Sequence, residues 1–176
     1  MAAQIGSHAP PFKLKAYAAG SDSFAEVSLE EHRGHWVCLL FYPLAFSPLC
    51  PTELAAFNDA AGAFEERECR LIACSVDSHF ALRAWCKSDS KLAAMKYPLA
   101  SDLTKRVAMD YGVLVADKGV ALRGTFLIDP HGKLRASSIN DLMIGRSTDE
   151  ILRLLDALRT GEPCPCNWKK GEPTLK

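Results

Sequence analysis

The sequence predicts one α/β domain, with a central mixed sheet flanked by helices, an N-terminal β-hairpin extension and a C-terminal tail. Three observations carry this expectation. Trp36 to Tyr42 is an unbroken apolar run without Gly or Pro, which suits a strand covered on both faces. Leu54, Phe57, Ala61 and Phe64 then repeat at helical spacing before a second strand, Leu71 to Val76, so a parallel crossover is the simplest connection. Near the end, Ile151, Leu154, Leu155 and Leu158 line one face of a last helix.

In chain order, Lys13 to Tyr17 and Phe24 to Ser28 form the hairpin around Gly20-Ser21-Asp22. Pro43 ends the first buried strand. Cys50 falls near the N-cap of the next helix, with Pro51 at its first position, where a missing N–H costs nothing, and Glu53 in its first turn. Helices follow over Ser78 to Lys87 and Asp102 to Tyr111. Thr125 to Asp129 and Lys133 to Ile139 make a second hairpin, turned by Pro130-His131-Gly132. In the last helix Ser147 and Glu150 match a capping box, and Gly161 is the stop. Residues 1–160 therefore read as the domain and 161–176 as a linker-like tail. The element order is thioredoxin-like with an extra hairpin.

At 176 residues and 48% hydrophobic content the chain can bury one core. Its 21 acidic and 21 basic residues, with no basic run, argue against nucleic-acid binding. The longest apolar stretch, Trp36 to Phe46, contains Pro43 and is too short to span a bilayer, so no membrane partner is expected. Met1 to Pro10 lacks the pattern of a signal peptide, and seven cysteines, an odd number, suit a reducing compartment; the cytoplasm is the expected location. His8, His32, His35, His79 and His131 are scattered without ligand spacing.

Two cysteine motifs carry chemistry: Pro43-Leu44-Ala45-Phe46-Ser47-Pro48-Leu49-Cys50-Pro51-Thr52-Glu53, and Cys164-Pro165-Cys166-Asn167-Trp168. A thiol at a helix start meets unpaired amides and the positive dipole end, which can bring its pKa from about 8.5 to roughly 3.5–7.5. Cys50 thus reads as a nucleophile, against the plainer alternative of a buried structural thiol. Cys164-Pro165-Cys166 can be read as a local redox pair or as half of a metal site; it lacks the second pair and the spacing of a zinc site, so no metal is expected. Cys38 and Cys74 read as inert strand residues, while Cys69 and Cys86 also fall in predicted elements.

The first motif resembles the peroxiredoxin signature Pro-x-x-x-[Thr/Ser]-x-x-Cys, and the chain is similar to typical 2-Cys peroxiredoxins of the alkyl hydroperoxide reductase C type. Further matches run from Ile5-Gly6 through Ser75-Val76-Asp77-Ser78-His79, Arg123-Gly124 and Asn140-Asp141-Leu142 to Gly145-Arg146-Ser147 and the tail. The resemblance implies a thiol-dependent peroxidase without a cofactor. Cys50 matches the peroxidatic cysteine, and Pro43, Ser47 and Arg123 match the residues that frame the peroxide. Glu53 and Arg146 match supporting partners, and Cys164 matches the resolving cysteine, joined to Cys50 of another subunit in a homodimer that can assemble to a decamer. The implied reductant is a thioredoxin-like protein or a flavoprotein. Cys166 reads as a spare or secondary resolving thiol.

This chain also departs from the family. Ser47 replaces the usual Thr, Ala45 an Asp, and Pro48-Leu49 an aromatic residue and Val. The Gly-Gly-Leu-Gly segment gives way to Ser90-Lys91-Leu92-Ala93-Ala94, and the Tyr-Phe helix is not seen after the tail cysteine. Resistance to inactivation by excess peroxide is the expected result. A thioredoxin-type reductase would need Cys-x-x-Cys at the strand-to-helix junction, where Cys50 stands alone; a holdase would keep its function without Cys50.

Overall fold

The computed structural model describes residues 3–175. The N-terminal hairpin pairs β1 (Lys13–Ala18) with β2 (Ser23–Ser28). After β3 (Trp36–Phe41) the chain forms α1 (Cys50–Asp59) and, past a break at Ala60, α2 (Ala61–Glu65). The apolar pattern predicted through Phe64 is therefore divided between two helices. Next come β4 (Cys69–Ser75), α3 (His79–Ser88), β5 (Leu99–Ser101) and α4 (Arg106–Asp110). A two-stranded ribbon, β6 (Leu114–Val115) with β7 (Val120–Ala121), leads to β8 (Arg123–Ile128), β9 (Leu134–Asn140) and α5 (Thr148–Thr160).

The main sheet has seven strands in the order β2-β1-β5-β4-β3-β8-β9. β3, β4 and β5 run parallel, and β1 and β8 flank them antiparallel, so the predicted mixed sheet and its crossover are present. Alternation along β3 explains the two-sided burial. Cys38 and Leu40 join one core with Leu54, Phe57 and Leu155, while Val37, Leu39 and Phe41 join another with Tyr111 and Phe126.

Helix ends follow local chemistry. Ser78 and Ser147 cap α3 and α5 by accepting from the amides of Ala81 and Glu150. The Glu150 carboxylate turns to Arg153 at 2.7 Å. Gly161, at φ 69°, ends α5. The helix predicted from Asp102 begins only at Arg106. Lys105 adopts φ 62°, and the buried Asp102 carboxylate reaches past it to accept the Ala108 amide at 2.7 Å.

The tail packs on α5 and is no free linker. Trp168 is buried, its indole donates to Glu172 O at 2.9 Å, and Arg153 Nη1 donates to Trp168 O at 3.2 Å. Among the described residues no helix is long and apolar enough to cross a membrane.

Candidate active site

β3 delivers the chain, still buried at Tyr42 and Pro43, to the loop Leu44 to Leu49. That loop is held at few points. Ala45 N donates to Asp77 Oδ2 at 2.8 Å, an oxygen that also accepts from Ser75 Oγ at 2.8 Å. Phe46 takes a left-handed φ of 59°, and its ring lies 6.1 Å from that of Trp85. Helix α1 then begins at Cys50 itself, with Leu49 in the capping position, so Pro51 is the second helical residue and not the first. Pro51 still lacks a donor where none is needed. The amides of Thr52 and Glu53 close on Leu49 O at 3.1 and 3.4 Å. The Cys50 sulfur thus sits, fully buried, at the positive end of a helix of ten residues.

Around it lies a buried charge cluster. Arg123, the first residue of β8, places Nη1 3.4 Å from Cys50 Sγ and 2.5 Å from Glu53 Oε2, while its Nε donates to Leu142 O at 2.8 Å. Arg146 fixes the same carboxylate: its amide and Nε donate to Glu53 Oε1 at 3.0 and 2.8 Å, and Nη2 to Oε2 at 3.2 Å. Its Nη1 donates to Phe41 O and Gly124 O, both at 3.0 Å, and its guanidinium lies over the Phe57 ring. A Cβ on Gly124 would meet Phe126 and Val113 atoms at 2.8 Å, so glycine lets these two side chains close over the strand there.

The side chains of Glu53, Arg123 and Arg146 are each at most 4% exposed. Two guanidiniums and one carboxylate leave an excess positive charge in a site nearly closed to water, and among the described residues the only other ionisable atom bonded to it is the Cys50 sulfur. An anion at that sulfur, or passing through a bound substrate, balances the cluster.

A cavity of about 440 Å³ opens beside Arg123, lined by Pro43, Ser47 and a mostly apolar wall including Leu44, Leu142 and Met143. Ser47 Oγ donates to Leu44 O at 3.0 Å, which leaves its lone pairs free to accept. The fold therefore gathers Cys50, Glu53, Arg123 and Arg146 into one bonded group, with Pro43 and Ser47 at its mouth.

Cys164 is elsewhere. It lies half-buried just past α5, its Sγ 3.5 Å from Thr160 Oγ1 and 3.8 Å from Ala157 O, and it does not touch Cys50. All seven cysteines are free thiols. Burial pushes the Cys38 and Cys74 thiols well above the ordinary range and those of Cys69 and Cys86 up to about 12, which marks them as inert. Among the described residues no cluster of ligating side chains could hold a metal.

Sequence reasoning missed two contributors. Leu142 acts through its carbonyl, which no side-chain pattern reveals, although Asn140-Asp141-Leu142 is a matched motif. Asp77 anchors the loop from a position 32 residues downstream of Ala45, a pairing only the parallel sheet creates.

The AhpC/TSA family model matches residues 5–137. A thioredoxin peroxidase of Echinococcus granulosus is 46% identical over all of this chain and 94% of its own length. A mitochondrial thioredoxin-dependent peroxide reductase of Drosophila melanogaster is 47% identical over 95% of this chain and 74% of its own. The reduced 2-Cys peroxiredoxin of Plasmodium vivax superposes with a TM-score of 0.94 at 43% identity, covering 98% of this chain and 92% of the other.

Proposed function

The chain belongs to the AhpC/TSA family and is a thiol-dependent peroxidase with the peroxiredoxin fold, and on that premise we propose that Cys50 is its attacking sulfur and Cys164 its resolving one. The buried cluster carries the assignment: with Cys50 as thiolate, the charges of Cys50, Glu53, Arg123 and Arg146 sum to zero.

The thiolate attacks one oxygen of a hydroperoxide, the S–O bond forms as the O–O bond breaks, and the electron pair leaves on the second oxygen as alkoxide or hydroxide. Arg123, fixed by Glu53 and Leu142 O, holds a cation where that charge develops. Ser47 accepts from the incoming O–H, and Pro43 excludes water without competing for hydrogen bonds. Cys50 becomes a sulfenic acid.

Resolution follows when Cys164 of a second copy displaces water from that sulfenic acid to give an intersubunit disulfide. Cys50 is buried in the first turn of α1, so this turn must loosen before the two Cβ atoms reach the roughly 3.5–4.5 Å a disulfide requires. A thioredoxin-like dithiol protein is the favoured reductant, as the names of the relatives suggest, with a flavoprotein as the alternative. The working unit is a homodimer, able to assemble to a decamer, acting in the cytoplasm on hydrogen peroxide and organic hydroperoxides; residues 1–160 carry the peroxidase site and 161–176 the resolving thiol.

Peroxide consumption by Cys50→Ser and Cys164→Ser tests this. The first variant is expected to consume none, and the second to react once and stop unless an external thiol is added. Full turnover by Cys50→Ser would overturn the assignment.

A further inference from the structure

Resolution by Cys164 leaves one thiol unused. Cys166 is exposed, two residues from Cys164, and Pro165 between them holds φ near −65°. The next turn is fixed: Trp168 N donates to Pro165 O at 3.1 Å, Asn167 takes φ 61°, and Trp168 is buried on α5. Pro165 therefore starts a β-turn with Cys166 and Asn167 as its central residues and Trp168 as its anchored end, while Cys164 lies between that turn and the end of α5. Arg153, bound to the Glu150 carboxylate at 2.7 and 2.9 Å, also grips Trp168 O at 3.2 Å and so ties the far end of this turn to α5.

We propose that Cys166 takes over the disulfide from Cys50, so that the oxidised enzyme rests with a Cys164–Cys166 bond inside one tail. This step rests on the assignment of Cys164 as the resolving thiol. The Cys166 thiolate attacks Cys164 Sγ, the Cys164–Cys166 bond forms as the Cys50–Cys164 bond breaks, and Cys50 leaves with the electron pair. Its oxidising equivalent comes from the peroxide already consumed, and no further oxidant enters.

Geometry permits the product. Cα atoms two residues apart are separated by at most about 7 Å, which overlaps the roughly 4.4–6.8 Å of disulfides. A thiol held two residues away also competes at a high effective concentration. The so-formed small ring is strained, but its formation releases Cys50 to refold beside Arg123 and Glu53, a cluster the intersubunit disulfide must disrupt. With Cys166 exposed, the tail disulfide is also within reach of a dithiol reductant.

The test is a time course after one equivalent of hydrogen peroxide without reductant, acid-quenched, alkylated, and read by non-reducing electrophoresis and peptide mass spectrometry. Wild-type protein is expected to show a disulfide-linked dimer early, decaying to monomer that carries a Cys164–Cys166 peptide and alkylated Cys50. A final preference of about tenfold for the tail bond corresponds to a difference of about 30 mV between the two disulfides. Cys166→Ser is expected to stay a linked dimer. If wild-type protein also stays a linked Cys50–Cys164 dimer, the transfer is overturned while the resolving role of Cys164 stands. If neither disulfide forms, both are overturned.

Discussion

Replacing Arg123 by lysine separates charge from geometry at the reaction centre. Lysine keeps the cation but presents one compact ammonium, whereas Arg123 reaches Cys50 Sγ at 3.4 Å and Glu53 with one nitrogen and Leu142 O with another. Without the Nε anchor nothing fixes the donor where the leaving oxygen gains its charge. Losing one such prepositioned donor costs about 2.7–4 kcal/mol of transition-state stabilisation, a factor of roughly 10²–10³ in rate. The assay is the second-order rate constant for hydrogen peroxide under excess reductant, with thermal unfolding as a control that the variant is folded. A folded Arg123→Lys enzyme slowed by less than about threefold, under about 0.7 kcal/mol of barrier, refutes the idea that the guanidinium fork positions the reacting oxygens.

Other consequences follow from the same contacts. Glu53→Ala leaves two buried guanidiniums without their carboxylate and is expected to destabilise the fold by about 3–5 kcal/mol, measured by denaturant unfolding. An open cleft of about 420 Å³ separates Phe46 to Pro51 from Ser88 to Ser90, so little covers the turn that must loosen; repeated turnover at rising peroxide is expected to yield little sulfinic acid at Cys50, and its early accumulation by mass spectrometry counts against this. Iodoacetamide at neutral pH is expected to label Cys166 and Cys164 while sparing Cys38, Cys69, Cys74 and Cys86, whose burial holds them protonated. Trp168→Ala, by freeing the tail from α5, is expected to speed labelling of Cys164.

Where the sequence was a sufficient guide, the determinants were local. The apolar run of β3, the Ser147 cap and the Gly161 stop each state their own conformation, and the structure follows them. Where it was not, distant residues decided. Three-residue β5 is a strand because β1 and β4 flank it, and α4 loses its first turn to the Asp102 carboxylate. The candidate site divides the same way. Cys50, Pro43 and Ser47 share one motif and were legible together. Arg123 and Arg146, by contrast, look in isolation like any surface arginine, and their meeting at Glu53 depends on β8 lying beside β3. The Leu142 carbonyl and the Asp77 tether left no side-chain signature to read.

The most direct test of the central claim is to trap the first product. In Cys164→Ser treated with one equivalent of hydrogen peroxide and dimedone, the adduct is expected on Cys50 and on no other cysteine. Adducts on Cys166 or a strand cysteine, with Cys50 unmodified, would contradict the assignment of the attacking sulfur.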